Sequence, residues 1–153
     1  MLSKNSIILP SAYLAPISYY YFLSKNKEAI IDIHENFVKR SIRNRAYLLG
    51  PNGHILLTVP KKKTMFRSMS KIEIFTMNKW TCKHWKAIMS CYNSSPYFKY
   101  YKDDFESIYS CKYNYLFELN KKLNDLILDV LKIKCNCIYS NDYVITLNKE
   151  MDF

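Results

Sequence analysis

Apolar and polar positions alternate on two different length scales along this chain. In the first half the apolar runs are short. Ser6 to Leu9 is one such run, closed by Pro10, and it predicts a strand that ends in a loop. The loop reaches Pro16, a residue suited to a helix start, and a helix is expected from Ile17 to about Lys25. Ala29 to Ile33 is short enough for a buried strand. Strand, helix and strand in that order predict a βαβ unit. Arg45 to Leu49 and Ile55 to Val59 are strand-like runs joined by Gly50-Pro51-Asn52-Gly53, which has turn chemistry throughout and predicts a β-hairpin. After a polar loop, Lys71 to Phe75 predicts a further strand.

The second half follows the helical period. From Trp80 to about Tyr92, Trp80, His84, Ile88 and Tyr92 recur at four-residue steps along one stripe. Asn93-Ser94-Ser95-Pro96 ends that helix, and Asp103 with Glu106 forms a helix-start capping pair. The longest helix is expected from about Tyr115 to Ile133. There Leu116, Leu119, Leu123, Leu126, Ile127, Val130 and Leu131 make a core-facing stripe, with the chemistry expected elsewhere. Cys137 to Tyr139 predicts a last short strand. The fold class expected is therefore α/β: a mixed sheet with an N-terminal βαβ unit and a β-hairpin, followed by a mainly helical C-terminal half. With no internal repeat and no low-complexity linker, residues 1–153 are expected to form a single domain.

Composition narrows the function classes. Hydrophobic residues make up 49% of the chain, enough for a packed core, while the 2 glycines exclude a glycine-rich phosphate loop. The five cysteines (Cys82, Cys91, Cys111, Cys135 and Cys137) lack the paired spacing of a zinc ribbon or a disulfide framework. Free thiols in a reducing cytoplasm are the simplest account. Pro10 and Pro16 interrupt the apolar N-terminal stretch, so neither a signal peptide nor a transmembrane segment is expected. The net charge of +10 points to an anionic partner: nucleic acid, nucleotide, phosphorylated sugar or membrane surface. Abundant Lys, Asn, Ile and Tyr are also what an AT-rich genome encodes, which weakens that argument.

Lys39, Arg40, Arg43 and Arg45 fall within seven residues leading into the hairpin. On a strand, Arg43 and Arg45 share a face with Asn44 opposite, and two guanidiniums on one face grip a phosphate or carboxylate. The competing account is a solvated basic strand edge. Asp32, His34 and Glu35 gather at the end of a predicted parallel strand, where open α/β sheets bind ligands, and an acid with a histidine supplies general-base chemistry. Capping of the next segment is, locally, the better account of them. A metal site from Asp32, His34 and His84 would draw on distant positions, and neither metal nor cofactor is assigned. Trp80, Lys83, His84, Trp85 and Lys86 concentrate rings and cations on one helix, fit either to stack on a sugar or nucleobase or to fill the core. Tyr97, Phe98, Tyr100 and Tyr101 precede Asp103 and Asp104, which repel phosphate, so no specific nucleic acid is expected there.

Four blocks in order resemble the WbqC-like family. The first is the Leu9 to Tyr20 segment, with its Pro10, Tyr13 and Pro16 loop running into an aromatic helix. The second contains Lys39, Arg43-Asn44-Arg45, Asn52-Gly53 and Leu57-Thr58-Val59-Pro60. The third is Trp80 with Lys83-His84-Trp85 and Ile88, and the fourth runs from Tyr92 to Phe105. Together the likeness covers Leu9 to about Leu131. Many relatives open with a His-Gln-Pro run; here Ile8-Leu9-Pro10 stands instead, so no role for that histidine carries over. The comparison also carries the expectation of a copy shortened at its C-terminal end. The resemblance implies a transferase-type enzyme acting on an activated or amino-modified sugar in bacterial surface-polysaccharide (O-antigen) synthesis, with an anionic small molecule such as a nucleotide-sugar as partner. In that reading Asp32, His34 and His84 are the catalytic candidates. Tyr13, Lys39, Arg43, Asn44, Arg45 and Trp85 are the substrate-binding candidates. The alternative is a non-enzymatic basic module for nucleic acid or a polysaccharide-assembly partner.

Overall fold

The computed structural model describes residues 7–77 and 79–144. Its elements are β1 (Ile7–Pro10), α1 (Ile17–Lys25), β2 (Glu28–Asp32), β3 (Arg45–Gly50), β4 (Gly53–Thr58), α2 (Trp80–Tyr92), α3 (Lys102–Ser110), α4 (Leu116–Val130) and β5 (Asn136–Tyr139). The class is α/β, with parallel and antiparallel pairing held in separate sheets. β1, β2 and β5 form a parallel sheet with β2 in the centre; β3 and β4 form an antiparallel hairpin. β1, α1 and β2 make the expected βαβ unit. Ala29 to Asp32 of β2 are all buried, as a central strand covered on both faces requires.

The hairpin alternates along β3. Ala46 and Leu48 are buried while Tyr47 and Leu49 face outward, opposite Leu56 and His54. Pro51 fixes φ at about −65°, so a mirror-image turn with positive φ at its position is unavailable. Gly53 supplies the positive angle instead, at φ 115°.

Two apolar cores result. One gathers Leu9, Tyr19, Leu23, Ala29 and Ile31 around the parallel sheet. The other gathers Leu48, Leu57, Val59, Ile72, Ile74, Trp80 and Ile88 behind the hairpin. α4 belongs to both: Leu116, Leu119 and Leu123 enter the hairpin core, and Leu128 the sheet core. The chain itself crosses between them at Ser11 to Tyr13, with Ala12 in the sheet core and Tyr13 in the hairpin core.

Three expected details differ. Lys71 to Phe75 is no regular strand. A 3₁₀ turn covers Met69–Lys71, and Glu73 and Ile74 make single bridges to Tyr115 and Lys61. Those bridges still satisfy backbone groups of a buried apolar segment. Asp103 and Glu106 do not cap α3: it starts at Lys102 without a side-chain cap, and Asp103 and Asp104 sit in its first turn, where they complement the helix dipole. The reciprocal device appears on α4, where the Glu118 carboxylate accepts from the Tyr115 N–H at 3.1 Å. α4 stops at Val130 rather than Ile133. Lys132 takes φ 55°, and the Ile133 N–H bonds back to the Leu128 carbonyl at 2.9 Å, closing a Schellman motif without glycine.

Candidate functional site

A ring of polar side chains occupies the junction of the two cores, at the carboxyl ends of β1 and β2. Ser11 directly follows β1, and Glu35 lies three residues past Asp32, the last residue of β2. Arg43 lies two residues before β3, and Asn120 projects from the middle of α4. Arg43 donates from Nε to Glu35 Oε1 at 2.9 Å and from Nη2 to Oε2, a bidentate pair whose side chains are 14% and 17% exposed. The Ser11 backbone N–H also serves the Glu35 carboxylate. Asn120 Nδ2 donates to Ser11 Oγ at 3.2 Å and to the Arg43 carbonyl at 2.9 Å, which closes the ring.

Burial pushes the Glu35 carboxyl above its ordinary pKa, and Asp32 nearby adds to this; the Arg43 guanidinium and the Ser11 N–H pull the other way. A carboxyl held above the usual range by desolvation beside a cation is suited to general acid–base work. Asp32 is buried and accepts from Ser140 Oγ at 2.9 Å, the His34 N–H at 2.8 Å and the Val144 N–H at 3.3 Å. It ties the ends of β2 and β5 together. His34 is half-buried, and its backbone makes this turn.

Beside the ring lies a narrow crevice lined by Ser11, Tyr19, Ile31, Asn120, Asn124 and Tyr139, too tight to admit a water-sized body. Asn120 and Asn124 are 2% and 6% exposed, and each leaves its side-chain Oδ1 without a partner. Buried polar atoms are normally satisfied, so two orphan acceptors four residues apart on one helix face set this wall apart. Two further orphans lie on the incoming segment, Asn44 Oδ1 and Arg45 Nε.

The other candidates from the sequence are placed elsewhere. The Tyr13 side chain is wholly buried. Its hydroxyl meets His84 Nδ1 at 2.7 Å and the Tyr109 hydroxyl at 2.7 Å. The Thr58 carbonyl also partners the His84 ring. With the ring proton engaged there, Nδ1 accepts from Tyr13, and Tyr109 donates to Tyr13. Burial lowers the His84 pKa to about 4, and the Trp80 ring stands edge-on at 5.1 Å. His84 is therefore a neutral member of the hairpin core. Trp85 stacks on Tyr109 with centroids 6.2 Å apart and also packs near Phe98. Asn44 donates from Nδ2 to the Val59 carbonyl at 3.1 Å and latches the base of the hairpin. Arg43 lies outside β3, so it does not share a strand face with Arg45. Lys39 is exposed. Among the described residues, no three His, Cys, Asp or Glu side chains come together as metal ligands.

Asn120, Asn124 and Ser11 were not among the candidates read from the sequence. The signal available was a pair of asparagines interrupting the apolar stripe of α4 at a spacing of four.

A model of the WbqC-like protein family matches residues 11–152. That span contains the whole polar ring and extends beyond the Leu131 limit of the resemblance read from the sequence. No curated protein and no solved structure matches the chain.

Proposed function

The chain belongs to the WbqC-like protein family, and from that premise we propose that it is a transferase-type enzyme acting on an activated or amino-modified sugar in surface-polysaccharide synthesis. The observation that carries this reading is the closed ring of Ser11, Glu35, Arg43 and Asn120 at the carboxyl ends of two parallel strands, the end where open α/β sheets take their ligands. Nothing in the packing of two apolar cores requires four polar side chains at their junction.

In this reading Glu35, assisted by Asp32, moves the proton of the attacking or departing group, a role also supported by its raised pKa. Arg43 holds Glu35 in place and offers positive charge to an anionic leaving group such as a nucleoside diphosphate. Arg45 Nε and the Asn44, Asn120 and Asn124 amide oxygens offer unclaimed hydrogen-bonding positions to sugar hydroxyls or an amino substituent. The crevice must widen for a sugar to enter, which is ordinary for sites that close around their substrates.

The test is a thermal-shift screen of the purified chain against nucleotide-sugars. A ligand that binds only the folded state stabilises it by about 2.7 kcal/mol at a hundredfold excess over Kd. A rise in midpoint specific to one nucleotide-sugar, retained in Glu35→Gln while turnover is lost, supports the reading. No shift with any nucleotide-sugar removes it.

A further inference from the structure

A second surface has a different character. Residues 61–71 contain five Lys or Arg and no acid. This loop is zipped to the segment that follows β2. The Phe37 N–H donates to the Arg67 carbonyl at 2.7 Å, the Met69 N–H donates to the Glu35 carbonyl at 2.9 Å, and Asn36 bridges Ser68. The two loops thus form one face. It carries Lys39 and Arg40 from one side, and Lys63, Arg67 and Lys71 from the other, all exposed. Arg40 adopts φ 58°, in the left-handed region. Of the cations on this face, Lys62 alone has a carboxylate partner among the described residues, Glu73.

Apolar side chains stand among these charges. Met65 is 98% exposed and Phe66 is 59% exposed, with Val38 exposed nearby on the partner loop. The Lys71 ammonium lies over the Phe66 ring at 4.8 Å, and Lys61 over Phe37 at 5.4 Å. Full exposure of a methionine at the tip of a loop held by backbone hydrogen bonds forfeits its burial energy, and a basic collar surrounds it.

We propose that this face is a membrane-docking surface: Met65 and Phe66 enter the headgroup region of an anionic bilayer, and the surrounding Lys and Arg pair with lipid phosphates. Apolar tips ringed by cations match a surface that is anionic outside and apolar beneath. Charge alone fits nucleic acid equally well. Met65 decides between them, because a fully exposed thioether offers no stacking face to a base, whereas a lipid interface rewards its burial. Phe66 already has a cation over its ring, an arrangement that places charge at the level of the headgroups. The proposal is independent of the enzymatic reading, since its test measures partitioning and not turnover.

The experiment is co-flotation of the full chain with vesicles of phosphatidylcholine alone or doped with phosphatidylglycerol. Three proteins are compared: the unaltered chain, Met65→Ser with Phe66→Ser, and Lys63→Glu with Arg67→Glu. All substituted positions are exposed, and circular dichroism confirms that each protein is folded. The expected result is binding to the anionic vesicles only, reversed by salt and weakened roughly tenfold or more in both variants. Equal partitioning of the Met65/Phe66 variant, or absence of vesicle binding at low salt, overturns the proposal. Binding to a duplex oligonucleotide that the charge variant loses and the apolar variant keeps, with no vesicle binding, assigns the face to nucleic acid and overturns it too.

Discussion

Arg43 and Glu35 face each other across the junction of the two cores, with the Nε and Nη2 donors of the guanidinium each on one carboxylate oxygen. The pair is mostly withdrawn from water, so its removal one partner at a time is more informative than its presence. Arg43→Met is expected to cost about 3 kcal/mol, because Glu35 is left buried without its cation. Replacing both, as Arg43→Met with Glu35→Leu, should recover most of that loss. Urea unfolding of the two single variants and the double variant gives the coupling directly; additive losses would mean the pair is not coupled.

His84 makes stability depend on acid. Its folded pKa is about 4 against an ordinary 6.5, so between those values the unfolded chain binds a proton that the folded chain refuses. The contribution is complete above pH 6.5, falls as the pH drops, and is exhausted below about 4. The loss over that window is on the order of 3 kcal/mol. Urea midpoints measured across it should decline with falling pH, and His84→Gln should flatten the decline. A slope unchanged in the variant would place the titration elsewhere.

Lys132 occupies a left-handed position that closes the Schellman motif of α4. A side chain there is strained, and the chain has only 2 glycines to spend on such sites. Lys132→Gly is therefore expected to stabilise the fold by roughly 0.5–1 kcal/mol, although it adds freedom to the unfolded chain. The chemical-denaturation midpoint is the measure, and a lower midpoint would show that the unfolded-state term wins.

Local pattern made most of the elements legible. The period-2 runs and Gly50 to Gly53 located the hairpin, and the apolar stripe located α4, because each signal is carried by neighbours in sequence. Lys71 to Phe75 misled for the opposite reason. Its apolar alternation is real, with Ile72 and Ile74 buried, but the backbone partners come singly from Lys61 and Tyr115. No local pattern encodes those pairings.

The site was only half legible. Asp32, Glu35 and Arg43 drew attention because charge clusters stand out in a sequence. Which of them pair was not visible, since the Glu35–Arg43 bond depends on how the loop after β2 folds back. His84 looked catalytic by residue type, yet it is enclosed by Trp80 one turn earlier on its own helix and by Tyr13 from the loop after β1, whose hydroxyl is held in turn by Tyr109 of α3. Asparagines within an apolar helix read as solvated interruptions until the partner elements are in place.

Asn120 and Asn124 separate the structural from the functional cost of that wall. Asn120 makes two hydrogen bonds, to Ser11 and to the Arg43 carbonyl, so Asn120→Ala is expected to destabilise by about 1–3 kcal/mol. Asn124 has less to lose: its side chain serves the Tyr139 hydroxyl and, from Nδ2, the weak acceptor Cys137 Sγ at 3.8 Å, and its Oδ1 is unpartnered. Asn124→Leu, of similar size and apolar, should leave stability unchanged or raise it by up to about 1 kcal/mol. A half-satisfied buried amide that costs stability persists where it serves a ligand. The combined measurement is thermal midpoint and nucleotide-sugar binding on Asn124→Leu. A higher midpoint with lost binding assigns the Asn124 oxygen to substrate, whereas a higher midpoint with unchanged binding removes this wall from the proposed site.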